Sequence, residues 1–194
     1  LSLDVHDEIW KRKQESTHSV IKEKVKSEDH LAIAALLKKL KDEGYMVYCA
    51  SNSIRSSVKL MLIRAGYIEY IDEYFSNEDV KSPKPHSEIY LKCMLRAGVN
   101  PKECLIVEDS HIGRKAAHES GAHVLGVQGL EDVEEGNIFQ AIDKANNTNE
   151  VKMFKPKWQG GNMNVLIPMA GAGTRFSLFK NHTMNNITLN IFLA

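Results

Sequence analysis

Three continuously apolar runs constrain this chain more than any other feature: YMVYCA (residues 45–50), CLIVE (104–108) and AHVLGV (122–127). None alternates apolar with polar residues, so each reads as a strand buried on both faces. Helix-like stretches separate them. DHLAIAALLKKLKDEG precedes the first run, and a second stretch goes from near Ile54 to Gly66. A third covers 86–97, and a fourth runs from His111 to Ser120. Strands alternating with helices of about three turns predict βαβ units, hence a parallel sheet with helices on both faces. Ser27 or Asp29 is the expected cap of the first of these helices, and Gly44 its stop. A small strand is expected near Tyr74–Phe75.

Composition narrows the function. Lys+Arg and Asp+Glu balance at 25 each, so no net field gathers nucleic acid or anionic lipid. No apolar run reaches the length that spans a bilayer. Cys49, Cys93 and Cys104 sit in apolar contexts without zinc-ligand spacing and read as buried thiols of a reducing, cytoplasmic protein. The eight histidines form no metal-binding pattern.

Chemistry gathers where strands end, because ligands of an open parallel sheet bind beyond the carboxyl ends. Ser51 follows the first strand; a hydroxyl there beside helix-start N–H groups suits a phosphate, although a serine there, taken alone, is more often a plain helix N-cap. Lys84 stands between the prolines of KSPKP (81–85), a restrained loop that presents a point charge to an anion; Lys81 lacks that restraint. CLIVE runs into Glu108 and Asp109. Adjacent carboxylates at a strand end need a cation or donors among them, and Mg²⁺ favours carboxylate and phosphate oxygens. The bland reading is a helix start whose acids favour the dipole.

Taken together, YCASNS, KSPKP with HSEIY, and IVEDSHIGRKAA resemble the second, third and fourth motifs of the haloacid dehalogenase superfamily, in particular its sugar-phosphate phosphatases and phosphomutases. The resemblance spans residues 1 to about 130. It implies a Rossmann-like parallel sheet with helices on both faces and a partial helical cap. It further implies that Ser51 and Asn52 bind the transferring phosphate and that Lys84 stabilises an aspartyl-phosphate intermediate. Asp109 would coordinate Mg²⁺ with Glu108 in support, and the partner would be a small phosphorylated metabolite.

One departure is large. The family's first motif, a strand followed by Asp-x-Asp that carries the nucleophile, is absent; Asp4 and Asp7 are three apart and belong to a helix face. The expectation is therefore a sheet without its first core strand and a chain without turnover of its own. The first residue is Leu1, and the chain is read as part of a longer protein.

The expected organisation is a partial cap at 1–30, a core at 31–145, a linker at 146–163 and a separate piece at 164–194. In that last piece, VLIPMAGAGTRF resembles the nucleotide-binding loop of sugar-phosphate nucleotidyltransferases, with Gly171, Gly173, Thr174 and Arg175 at the matching positions. Its strand NVLIPM is expected to take the vacant central slot of the sheet. Two other readings stand beside the phosphatase one: a nucleotidyltransferase whose N-terminal part is regulatory, and a non-catalytic interaction module.

Overall fold

The computed structural model describes residues 3–150, 164–167, 176–179 and 190–193. Six helices alternate with strands in the first of these ranges: α1 Leu3–Lys24, α2 Leu31–Asp42, β1 Val47–Ala50, α3 Arg55–Arg64, β2 Glu73–Phe75, α4 Glu88–Ala97, β3 Cys104–Glu108, α5 His111–Glu119, β4 His123–Gly126 and α6 Glu135–Glu150. Three further strands follow: β5 Asn164–Ile167, β6 Phe176–Phe179 and β7 Asn190–Leu193. Among the described residues no helix is long and apolar enough to cross a membrane.

Two of the three apolar runs, in β1 and β3, are strands buried on both faces as their pattern suggested; AHVLGV, expected to be buried likewise, forms the edge strand β4. Every residue of β1 and β3 is buried, and the two side-chain parities enter two separate cores. Val47, Cys49, Leu105 and Val107 pack with residues of α2, α3 and α6. Tyr48, Ala50, Cys104 and Ile106 pack with residues of α4 and α5. The result is a sheet sandwiched between two helical layers, a mixed α/β fold with parallel strands. β2 and β4 close the two edges and are only half-buried. Their lower burial follows from having one neighbouring strand instead of two.

The sheet runs β2-β1-β7-β6-β5-β3-β4, with further pairings β7–β5 and β7–β3. The expected segment does enter the sheet, as β5 beside β3, but another strand touches both β1 and β3. β7, the segment NIFL, lies parallel to both β1 and β3. β5, from NVLIPM, pairs parallel with β3 only at Ile106↔Leu166, and β6 runs antiparallel to β5 and β7. Four residues, three of them apolar, are too few to show a period, so β7 left no readable signal in the sequence. It also serves as a ruler. Leu193 pairs with both Cys49 and Val107, so Ala50 stands level with Glu108, and Ser51 with Asp109.

Two local expectations change. The N-cap of α2 is His30, after a 3-10 turn at Ser27–His30, and no side chain caps the helix; neither Ser27 nor Asp29 plays that part. α6 continues to Glu150, through the boundary at 145 where a linker was expected. Gly44 does end α2, with φ +83°, a conformation that side chains resist.

α1 lies along α3 through its second half. His18 Nε2 meets the Ser57 hydroxyl at 3.0 Å. The Arg64 guanidinium donates to the carbonyls of Lys22 at 2.9 Å and Val25 at 3.2 Å, and Ile21 is buried. His18 touches the start of α3 and Lys22 its end, so the two helices run parallel. Residues 3–17 therefore project beyond the carboxyl rim of the sheet by about 20 Å at 1.5 Å per residue. Val5, Ile9 and Trp10 are exposed on that projection.

Candidate functional site

The rim site is assembled from three turns. The first follows β1. Ser51 is fully buried; its N–H donates to the Phe75 carbonyl at 2.9 Å, which ties the turn to β2. Its hydroxyl accepts from Ser53 N–H at 3.1 Å. The N-cap of α3 is Ile54, with no side-chain cap, so the plain helix-cap reading of Ser51 does not hold.

The second turn carries Lys84. Glu88, at the start of α4, accepts from the N–H groups of Lys81 at 3.0 Å and Ser82 at 2.8 Å. Those bonds fold the loop back on the helix and hold the Glu88 carboxyl below its ordinary range. The Lys84–Pro85 peptide is cis. Asn52 accepts from Lys84 N–H and donates to the Lys84 carbonyl, both at 3.1 Å. Its side-chain amide is thus turned to the lysine backbone and not to a ligand; what Asn52 can offer a phosphate is its backbone N–H. Lys81 is exposed, whereas Lys84 is only 4% exposed.

The third turn is the end of β3. Glu108 has no exposed surface. Its Oε1 accepts from Lys84 Nζ at 3.0 Å and from the Tyr90 hydroxyl at 2.7 Å. Its Oε2 accepts from Ser110 N–H at 3.0 Å and the Ser110 hydroxyl at 3.1 Å. Lys84 Nζ also donates to the Ala50 carbonyl at 3.1 Å, which joins the second turn to the first. A buried ammonium and carboxylate are each costly alone, and this pair is tolerable because both also hold hydrogen bonds. α5 approaches closely enough that a Cβ on Gly113 would lie 1.6 Å from Glu108 Oε1. Ser110 caps α5 through Gly113 N–H at 3.0 Å. Arg114 donates to the Asp109 carbonyl at 2.5 Å and fixes that turn.

Ser51, Lys84 and Asp109 therefore come to one rim. Lys84 bridges Ala50 and Glu108, the residues immediately before Ser51 and Asp109. The expected metal pair is altered, because the Glu108 carboxylate faces Lys84, Tyr90 and Ser110. Among the described residues no group of three or more His, Cys, Asp or Glu is placed to hold a metal ion. These residues do not by themselves make a magnesium site. Gly171, Gly173, Thr174 and Arg175 lie outside the described residues.

Sequence reasoning missed Tyr90, Ser110, Glu88, Gly113 and Arg114. Tyr90 and Glu88 do fall in HSEIY, and the other three in DSHIGR. Each had an ordinary helix role that concealed its contact with another segment.

A family model described as haloacid dehalogenase-like hydrolase matches residues 2–127. A haloacid dehalogenase-like hydrolase domain-containing protein of Arabidopsis thaliana is 36% identical over 106 residues, covering 52% of this chain and 34% of that protein. A fructose-1-phosphate phosphatase of Escherichia coli is 32% identical over 68 residues, 35% of this chain and 36% of that one. The chain thus spans little more than a third of the length of these relatives. A crystal structure of β-phosphoglucomutase from Clostridium difficile superposes with a TM-score of 0.65 at 24% identity, over 78% of this chain and 71% of that one, a likeness of fold.

Proposed function

The chain belongs to the haloacid dehalogenase-like hydrolase family, and from that premise we propose that its rim site binds the phosphate of a small phosphorylated metabolite. The observation that carries the proposal is the bridge made by Lys84, whose ammonium meets Ala50 and Glu108 within 3.1 Å. A buried lysine held there sets a positive charge between a strand-end hydroxyl and a strand-end carboxylate. Phosphoryl transfer needs such a set: a hydrogen-bond donor, a compensating cation and an acidic group. In this reading Ser51 donates to a phosphate oxygen, backbone N–H groups of the Asn52–Ser53 turn add to it, and Lys84 offsets charge on the phosphoryl group. Asp109 supplies one oxygen ligand for Mg²⁺; the remaining ligands come from outside the described residues.

The relatives' names support phosphate esters and not one particular ester. One is a fructose-1-phosphate phosphatase and another a bifunctional riboflavin kinase/FMN phosphatase. A sugar phosphate is the substrate class we favour, with the projecting part of α1 as part of a cap over it. No Asp-x-Asp occurs in the 194 residues. We therefore assign binding to this chain, and covalent phosphoryl transfer, through an aspartyl nucleophile, to a parent protein that supplies that carboxylate. A nucleotidyltransferase role for the 164–194 piece rests on the GAGTRF resemblance alone.

The test is direct. The wild-type chain binds inorganic phosphate in calorimetry, Lys84→Met abolishes binding, and neither turns over a generic phosphate ester with Mg²⁺. Turnover by the wild type that Asp109→Asn removes would overthrow the assignment of catalysis elsewhere. Phosphate binding unchanged in Lys84→Met would overthrow the site.

A further inference from the structure

We propose that Tyr90 is a positioning residue that sets how much of the Lys84 charge a phosphate can use. The inference rests on the phosphate-binding reading above and extends it to a side chain that never meets the ligand.

Tyr90 touches both members of the buried pair. Its hydroxyl donates to Glu108 Oε1 at 2.7 Å, and its ring lies under Lys84 Nζ, 4.6 Å from the centroid. Lys84 and Tyr90 therefore share one oxygen, because Lys84 Nζ contacts the same Oε1 at 3.0 Å. Tyr90 has no exposed surface, and water does not dilute this competition. A hydrogen bond is strong in a low-dielectric site, and two donors on one carboxylate oxygen compete for the same charge. A hydroxyl that draws charge from Oε1 weakens the hold of the carboxylate on the ammonium. The other carboxylate oxygen is kept in place by Ser110 N–H and hydroxyl. Glu108 therefore stays fixed while the Oε1 share is divided between phenol and ammonium. The ring supplies the second half of the arrangement: its negative face supports the ammonium from below without neutralising it.

Removing only the hydroxyl leaves Glu108 Oε1 to Lys84. The pair then tightens on itself, and the ammonium offers less to an incoming anion, although its formal charge is intact. The opposite change, a more acidic phenol, draws more charge from Oε1 and frees more of the ammonium. A purely structural tyrosine has no reason to follow that gradient.

The experiment measures inorganic phosphate affinity by calorimetry on the full chain. The series is Tyr90→Phe, wild type, and wild type with 3-fluorotyrosine incorporated at position 90. Melting temperatures are recorded alongside. We expect affinity to rise in that order, with Tyr90→Phe weaker than wild type by roughly 5- to 10-fold, the scale of one hydrogen bond to a charged group acting indirectly. Equal affinity across the series, with wild type binding phosphate, overturns the role of Tyr90 and leaves the phosphate site standing. A wild type that does not bind phosphate overturns both. If Tyr90→Phe does not fold, the comparison of tyrosine with fluorotyrosine decides: higher affinity supports the inference, and unchanged affinity overturns it.

Discussion

Asn52 holds the backbone of Lys84 from both sides, accepting from its N–H and donating to its carbonyl at 3.1 Å each. The two residues are 32 positions apart, and this pairing aims the lysine along the rim. Asn52→Ala removes both bonds and leaves two backbone groups to find water. The expected loss is about 1–3 kcal/mol of stability from two hydrogen bonds, with weaker phosphate binding because the ammonium is no longer aimed. Denaturant unfolding and phosphate calorimetry on one preparation check both. A stability loss without any change in affinity would show that Lys84 is placed by other contacts.

The Lys84–Glu108 pair is buried at both ends, with side-chain exposures of 1% and 0%. Breaking it from one side strands a charge. Lys84→Met and Glu108→Leu should each cost about 3–5 kcal/mol, while the double variant should cost much less than their sum. Urea denaturation of the four proteins measures the coupling. Additive losses would mean that the two groups do not depend on each other.

Gly113 is set by proximity, since its backbone conformation is helical. An added methyl would sit 1.6 Å from Glu108 Oε1, so Gly113→Ala must displace the carboxylate or the start of α5. Overpacking of this kind costs about 1–3 kcal/mol, and phosphate binding should fall with it. The control is Gly136→Ala, where nothing lies within 4 Å of the added carbon; it should leave phosphate binding as in wild type. Both are read by thermal unfolding and calorimetry.

Acidification should weaken the fold at two places, His30 between α1 and α2 and His123 at the start of β4. Burial lowers the pKa of His30, against a smaller opposing pull from Asp29. Burial also lowers that of His123, with the charge of Lys102 adding to it. A histidine with a depressed folded pKa stabilises the fold above its unfolded value near 6.5, and that contribution is lost as pH falls through the lower folded value. Denaturation midpoints should therefore drop between pH 7.5 and 5.5. His30→Gln should flatten part of that drop, at the price of its 2.7 Å contact with the Tyr67 hydroxyl. An unchanged slope would remove His30 from the account.

The three thiols should be silent until the protein opens. Cys49, Cys93 and Cys104 are buried and in no disulfide, and burial raises Cys93 and Cys104 well above the usual thiol range. A thiolate-selective reagent should label none of them in buffer and all three in denaturant. Fast labelling of the native protein would contradict the packing of β1, β3 and α4.

Much of the rim was visible in the linear sequence because its residues follow strands whose apolar runs are unbroken. Ser51 and Asp109 are found by asking what comes next after YMVYCA and CLIVE. Lys84 is found from its two prolines. Their partners were invisible for a physical reason. Nothing near Glu108 in the sequence announces Tyr90, 18 residues away, or Lys84, 24 residues away. A pair of adjacent acids therefore read as metal ligands, when one of them is the counter-ion of a buried lysine. The end of β3 has two sides, and the parity of Glu108 matches that of Cys104 and Ile106, which face α4 and α5. That parity was readable; which helices cover the face was not.

The sequence by itself determined β1, β3 and β4, the positions of the helices between them and the residues that stand at the strand ends. Each follows from a local pattern: unbroken apolarity for a strand buried on both faces, a glycine where a helix must turn, and a polar residue where a strand meets water. The tertiary structure alone decided that NIFL pairs with both β1 and β3, that Asn52 serves the lysine backbone, and that Glu108 turns inward to Lys84 and Tyr90. Those outcomes depend on register and on distances between segments far apart in the chain, and pairing across a sheet leaves no periodic trace along any one strand.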